Sequence, residues 1–543
     1  MAYSGQNGSA RCVLCPAACE LQVVSAGPDR WRSEFPLTDE TGLCPRGSTL
    51  GELLGHPQRI FSSVSRKDGS LKTIPMADAL GTVLAESAGR KLVFLVDAHI
   101  PIEQMLEVAA WCTNWSEATF CLVVEPAEKM LLLGTEESGA DYLTDDQLAD
   151  CDGFLIIGDA FAADPICARS VFDRRKAQSQ TPIATLDAAA GTATKFATHR
   201  VEAAVGRQRE ALAAVAKAAG AKVDADLPGA AGGNPSAAAA GGALAKCKRL
   251  GVIVAAEYGR GEDWQQIGRL AGVLGRHKGG GVGVQTVGLN ALAAVRLNAA
   301  LGGVGLAEAI SDASTISIAL GADLLGMFGW RGGGFFAAAA ALPNPTTDVA
   351  RFVLPITMPG EWAGTYLRGG SELVRVEPLL VPPAGIPSPA ELVGAMARQA
   401  GVSRAKPADV SAALQRVASA SASPPLLGHS LSPSLLLARR AAHHGCGMWS
   451  AHGSWQMAAK ELPDIRIGVG YAQKLKIPNL AVVTVRAGRQ ELLARARYAP
   501  ELDGEYVVLP EGLPGARVLV QSFIESESGA LSAEPIAVDL IVA

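Results

Sequence analysis

Four of the ten cysteines in this 543-residue chain fall within its first 44 positions, as Cys12-x2-Cys15-x3-Cys19 followed, after 24 intervening residues, by Cys44. A turn of the form C-x2-C-x3-C can set three thiolates on one side of a loop, and a distant fourth then closes the site from another element. Four thiolates about a cavity are what a [4Fe–4S] cluster requires. Zinc is the competing ligand, but all-thiolate zinc sites usually pair one C-x2-C with another. A disulfide framework suits small secreted chains, and this one is neither short nor preceded by a basic and apolar leader. The spacing therefore predicts one [4Fe–4S] cluster on Cys12, Cys15, Cys19 and Cys44. The other thiols, at Cys112, Cys121, Cys151, Cys167, Cys247 and Cys446, stand singly. His443-His444-Gly-Cys446 with His452 forms a local His/Cys group, but adjacent histidines point in different directions, which favours a surface loop over a metal site.

The elements that must hold these residues follow from length and pattern. A chain of 543 residues exceeds what one core usually fills, so several domains are expected. Apolar residues make up 49% and the formal net charge is only −5, which gives no basic footprint for nucleic acid. No run of about 18 apolar residues predicts a membrane span. The expected setting is cytoplasmic, with any membrane association made through partners. Residues 1–65 read as the cysteine module, with Glu20–Ser25 as a strand between ligands, and Pro75 opens a helix. Apolar runs at 91–96, 119–124, 154–159 and 182–187 alternate with helical stretches at 102–111 and 168–178. This rhythm predicts a first doubly wound parallel α/β domain over 66–225. Asp97, Asp159 and Asp187 end three of these strands and read as helix N-caps. An Ala/Gly-rich linker or loop at 226–246 precedes a second α/β domain at 247–418, beginning with the strand 250–255 and the helix 264–274. The glycine runs at 278–284 and 331–334 match neither phosphate-binding pattern and read as tight loops. From 419 to 543 short strands recur between turn residues, the texture of a small β-barrel.

One order of features is more specific than composition. Cys44-Pro45-Arg46-Gly47 is followed by His56-Pro-Gln-Arg59-Ile60, then a basic residue with Asp68-Gly69, then the helix after Pro75. This order resembles the N-terminus of the molybdopterin oxidoreductase superfamily, which includes formate dehydrogenases, the B subunit of formylmethanofuran dehydrogenase and the large iron–sulfur subunit of respiratory complex I. Farther along, Thr346–Pro355 leading to Glu361-Trp-Ala-Gly-Thr365 resembles the family's strand ending in proline and its E-x-x-G-T turn. Ile467-Gly-x-Gly-Tyr-Ala-Gln-Lys-Leu-Lys-Ile477 before Val482-Val-Thr-Val485 resembles its C-terminal dinucleotide-binding barrel. The resemblance runs nearly end to end. It implies an N-terminal [4Fe–4S] module, two doubly wound α/β units and a C-terminal β-barrel domain. It also implies that Arg46 lies between the cluster and a pterin as an electron-transfer residue.

The resemblance further implies molybdenum or tungsten on pterin dinucleotides, with Cys121 the positional candidate for a protein ligand. Here the chain departs from the pattern. Cys121 is followed by Leu-Val-Val-Glu-Pro where formate-handling relatives carry His-Gly-Pro, and it sits inside an apolar strand, where a thiol is usually inert. Asp187-Ala-Ala-Ala-Gly stands where relatives carry Asp-Pro-Arg, and Val205-Gly-Arg-Gln208 where they carry Pro-Gly-Thr-Asp. These departures predict an iron–sulfur electron-transfer and scaffold subunit of a redox complex, working beside iron–sulfur, flavin, hydrogenase or dehydrogenase subunits. Two alternatives stay open: a molybdenum or tungsten pterin enzyme acting on formate or a formyl group, and a non-redox assembly subunit with zinc.

Overall fold

The computed structural model describes residues 8–36, 44–67, 69–203, 206–223, 234–257, 261–312, 314–328, 336–417, 435–440, 449, 452–453, 464–502, 504–511, 519, 522–524, 531–533 and 536–542. The chain opens with a three-stranded antiparallel sheet of β1 (Gly8–Arg11), β2 (Glu20–Gly27) and β3 (Arg30–Glu34), then α1 (Pro45–Leu54). Glycines at 47, 51 and 55 recur every fourth residue and line one side of this helix. A Cβ at Gly51 would stand 2.6 Å from the backbone of Arg32, and one at Gly55 2.5 Å from the carbonyl oxygen of Asp29. Only a helix edged with glycine can lie this close to the β2–β3 hairpin.

Next come β4 (Ser63–Lys67), β5 (Ser70–Ile74), α2 (Met76–Ser87), β6 (Leu92–Asp97), α3 (Ile102–Thr113), β7 (Ala118–Val123) and α4 (Pro126–Ser138). The chain then crosses, through α5 (Asp145–Ala149), into a second sheet. That sheet takes β8 (Gly153–Ile157), β9 (Ile183–Asp187), β10 (His199–Glu202), β11 (Leu250–Ala255) and β12 (Gly281–Gln285). Its helices include α6 (Ala160–Ala163), α7 (Cys167–Ala177), α8 (Gln208–Ala218), α9 (Pro235–Leu244) and α10 (Gly261–His277). After α11 (Ala291–Ala300) the chain returns to the first sheet with β13 (Ile316–Leu320), β14 (Ala337–Ala340) and β15 (Phe352–Pro355).

The resulting orders are β5-β4-β15-β14-β13-β6-β7 and β10-β9-β8-β11-β12. In the first sheet β15, β14, β13, β6 and β7 run parallel; the second sheet is parallel throughout. Strands β6, β8, β9 and β11, and the edge strand β12, are buried at every residue, as helices on both faces require. The two α/β units are thus nested. The expected cut between residues 225 and 247 falls between β10 and β11, inside the five-stranded sheet, and the first sheet draws strands from both sides of it. Pattern within a strand carries no information about which sheet it joins.

The 278–284 glycine run is largely strand β12 and not a loop: a Cβ at Gly280 would sit 1.9 Å from the carbonyl oxygen of Leu250, and one at Gly281 2.3 Å from that of Asp141. The 331–334 run lies outside the described residues. A hairpin of β16 (Gly364–Arg368) and β17 (Glu372–Val376) then leads to the helix Pro389–Gln399.

The last unit contains β18 (Leu435–Arg440), β19 (Asp464–Ile467), β20 (Val482–Ala487), β21 (Gln490–Tyr498), β22 (Tyr506–Glu511), β23 (Ser522–Ile524), β24 (Leu531–Ala533), β25 (Ile536–Ala537) and β26 (Asp539–Val542). Seven of them form a mixed sheet in the order β25-β18-β22-β19-β21-β20-β26. Among the described residues this is a half-barrel with two edges, where the sequence rhythm predicts a closed barrel. Strand spacing is the same in both, and only edge pairing distinguishes them. No helix among the described residues is long and apolar enough to cross a membrane.

Candidate functional site

Cys12, Cys15 and Cys19 lie on the loop from β1 to β2, and Cys44 is the N-cap residue of α1 with Pro45 behind it. The loop is folded on itself. The amide of Cys12 donates to the carbonyl of Cys19 at 2.8 Å, and Arg11 Nη1 donates to the carbonyl of Ala18 at 3.0 Å. Ala18 takes a left-handed φ of 50°, which lets the chain turn between Cys15 and Cys19. All four thiols are 6–7% exposed. A Cβ on Gly47 would stand 3.8 Å from Cys12 Sγ, which places the first turn of α1 beside that thiol. Burial pushes the Cys15 thiol up, with Asp164, Cys19 and Cys44 acting in the same sense and Arg46 against them. Cys15, Cys19 and Cys44 therefore share one electrostatic neighbourhood. The N-terminus of α1 offers it the positive end of a helix dipole, which acts in the same sense as Arg46 against that upward push.

Arg46 is not a surface arginine. It is 2% exposed, and its Nη2 donates to the carbonyl of Ala163, at the end of the α6 turn after β8. Its charge lowers the Cys15, Cys167 and Asp164 groups against the larger upward push of burial. Arg46 thus stands between the cysteine loop and the C-terminal end of a strand in the five-stranded sheet. On the other side, Gly288 and Leu289 donate amides to the carbonyls of Leu14 and Val13 at 3.4 and 3.1 Å. The cysteine loop is thereby fixed to the segment after β12. A small cleft opens beside this junction, walled by Pro16, Tyr142, Thr144, Asp145, Gln285 and Gly370.

In open parallel sheets ligands bind beyond the strand C-termini, where the winding direction reverses. In the seven-stranded sheet that point lies between β6 and β13, because β6 leads outward to β7 and β13 leads the other way to β14. In the five-stranded sheet it lies between β8 and β11. Of the expected N-caps, Asp159 holds the N-cap position of α6 but its side chain makes no cap hydrogen bond there, and Asp97 and Asp187 stand at no helix start. Asp97 accepts the amide of His99 at 2.7 Å and its ring Nδ1 at 2.6 Å. Asp159 accepts the amide and hydroxyl of Thr192 at 2.9 and 2.5 Å, and Glu257 accepts the Asp159 amide at 3.1 Å. Asp187 accepts the hydroxyl of Thr194 at 3.1 Å. Asp159 ties the loops after β8 and β9 together, whereas Asp97 and Asp187 each brace the loop that follows their own strand, uses that residue type alone does not distinguish from capping. Asp323, just past β13, is buried, accepts the amide and hydroxyl of Thr346, and also caps the short helix Leu324–Phe328 by accepting the Gly326 amide at 3.0 Å. The sequence reading missed both Asp323 and His99; an Asp-x-His directly after an apolar strand is the signal available for His99.

Cys121 is brought to none of these places. It lies within β7, opposite Leu95 of β6, in an apolar cluster with Leu306, Ala319 and Leu324. Burial pushes its thiol up to about 12. Cys112, Cys151, Cys167 and Cys247 are also buried. His452 Nε2 lies 2.7 Å from the carbonyl oxygen of Pro343, and its ring meets His56 edge-on at 5.0 Å. His443, His444 and Cys446 lie outside the described residues.

Two sequence motifs far apart in the chain meet in the core. Arg59 of His56-Pro-Gln-Arg-Ile60 donates from Nη2 to Glu361 of Glu361-Trp-Ala-Gly-Thr365 at 2.7 Å, with side chains 1% and 0% exposed. Thr365 of the same motif donates its amide and hydroxyl to Glu103 of α3.

No family model matches the sequence, and no curated protein matches it. Among solved structures the fold is similar to that of acetylene hydratase from Pelobacter acetylenicus, with a TM-score of 0.71 and 12% identity over 99% of this chain and 100% of that one. The likeness is one of fold, carried across the whole chain with little sequence in common.

Proposed function

We propose that this chain is an iron–sulfur electron-transfer and scaffold subunit of a multi-subunit redox complex, built on a molybdopterin-oxidoreductase fold. The observation that carries this reading is where the thiols lie. Four are buried on one loop and one helix start beside an arginine, whereas Cys121 is enclosed in a strand interior away from both sheet switch points. Among the described residues no group of three or more His, Cys, Asp or Glu side chains is drawn in tightly enough for one metal ion. A [4Fe–4S] cluster spreads its thiolates around a polynuclear core, so an all-sulfur set on a buried loop suits it better than it suits zinc.

Cys12, Cys15, Cys19 and Cys44 would hold the cluster, which supplies one-electron transfer. The chain itself keeps water from the sulfurs by burial. Arg46 sets a fixed positive charge on the side facing the α/β units, and the first turn of α1 adds amide dipoles; both favour the electron-rich state. Electrons would pass to and from clusters or flavins of partner subunits.

A second reading is favoured by one observation: the fold of an enzyme is matched from end to end, so the chain lacks no large part of it. Under that reading a molybdenum or tungsten pterin group occupies the switch points and Arg46 stands beside it. Metal and pterin analysis of anaerobically purified protein separates the readings. Four iron per chain without molybdenum, tungsten or pterin is the expected result. Stoichiometric molybdenum or tungsten with pterin refutes the electron-transfer reading, and zinc without iron supports a structural assembly role.

A further inference from the structure

His99 is enclosed at the switch point between β6 and β13, with 2% of its surface exposed. Its Nδ1 is bound to Asp97 Oδ1 at 2.6 Å, and the same oxygen accepts the His99 amide at 2.7 Å. The carboxylate therefore holds both the backbone and the ring. A carboxylate at Nδ1 fixes the proton there and leaves the lone pair on Nε2. Nε2 is buried and has no hydrogen-bond partner among the described residues. Buried polar atoms are nearly always satisfied, and an exception calls for a reason.

The surroundings are shaped to the ring. Gly288 has a φ of +89°, and a Cβ there would stand 3.3 Å from both Nε2 and Cδ2. Trp449 meets the ring edge-on at 6.4 Å between centroids, and Tyr366 donates its hydroxyl to the His99 carbonyl at 3.2 Å. Gly288 is also the residue whose amide bonds to Leu14 of the cysteine loop.

We propose that His99 is the proton-accepting group of a ligand site at this switch point, with Asp97 as its positioning residue. The ligand class is a small molecule bearing an acidic O–H or N–H. Its proton moves to the Nε2 lone pair, the imidazolium charge is balanced by the Asp97 carboxylate, and the ligand is held as its conjugate base until the proton returns. The site goes beyond electron transfer and does not depend on the cluster.

Diethyl pyrocarbonate probes this directly in the intact protein, because it acylates an unprotonated ring nitrogen. The Nε2 lone pair bonds to a carbonyl carbon, the ring gives up its Nδ1 proton, and the departing ethyl carbonate takes up a proton and breaks down to ethanol and carbon dioxide. Mapping by mass spectrometry, with exposed His277 as internal reference, is expected to find His99 acylated despite its burial. Asp97→Asn frees the tautomer and is expected to slow His99 by about tenfold relative to His277. Gly288→Ala, which places a methyl against Nε2, is expected to block acylation of His99 alone. An unreacted His99 in the wild-type protein while His277 reacts fully, or an unchanged His99 rate in Asp97→Asn, overturns the proposal.

Discussion

Replacing Glu361 with alanine tests the joint between two distant motifs. Glu361 is fully enclosed, accepting Arg59 Nη2 at 2.7 Å and the Met358 amide at 3.0 Å, and it spans 302 positions of sequence. Removing the carboxylate leaves a guanidinium charge in the core, which costs about 3–5 kcal/mol when one partner of a buried pair is lost. Solvent screening gives little relief, since the two side chains are 1% and 0% exposed. Arg59 Nε and Nη1 have no partner among the described residues even with Glu361 present, so the pair is incompletely satisfied. An apolar pair of similar volume, Arg59→Met with Glu361→Leu, should therefore recover most of the loss. Urea unfolding of the protein and both variants reads this out. With a slope on the order of 3 kcal/mol per M, Glu361→Ala should lower the midpoint of the transition that includes α1 and β15 by roughly 1 M or more. A midpoint unchanged in Glu361→Ala, or a double variant less stable than the single one, refutes the reasoning.

Cys121→Ala should leave iron content unchanged and cost on the order of 1 kcal/mol, as a small core truncation does, measured by metal analysis and thermal unfolding. Its thiol, raised to about 12, should resist iodoacetamide at pH 8 in the native protein and react only after unfolding, since alkylation needs the thiolate. Gly268→Ala and Gly242→Ala should differ in sign. A Cβ at Gly268 of α10 would stand 2.2 Å from the Leu131 carbonyl of α4, costing about 1–3 kcal/mol, whereas Gly242 in α9 meets nothing within 4 Å and should gain up to about 1 kcal/mol of stability. Arg296→Met should cost about 3–5 kcal/mol in urea unfolding, because the guanidinium forks onto Glu136 at 2.9 and 3.1 Å with both side chains buried.

How far the sequence could be read depended on the range of the interaction involved. Periodicity is local, so the apolar runs at 91–96, 119–124, 154–159, 182–187 and 250–255 became β6, β7, β8, β9 and β11 within a residue or two. Glycine was misread at 278–284 because its meaning there is a close approach to Leu250 and Asp141, residues on other elements. The strand-end aspartates were misread for a similar reason. A carboxylate after a strand meets a cap or a neighbouring loop with equal ease, and only the assembled sheet brings Thr192 to Asp159.

Residue type and spacing alone determined that four cysteines form a cluster-ligand pattern at the head of the chain, that the body alternates strand and helix, and that the order of motifs resembles the molybdopterin oxidoreductases. These are properties of short segments, fixed by side-chain chemistry and by the 3.6- and 2-residue periods. Tertiary structure alone decided that the two α/β units are nested, that Arg46 is enclosed between the cysteine loop and the end of α6, that Cys121 faces a core, and that His99 keeps one ring nitrogen without a partner. Each of these depends on which strands become neighbours, and strand order is chosen by the packing of the whole chain, not by any window of its sequence.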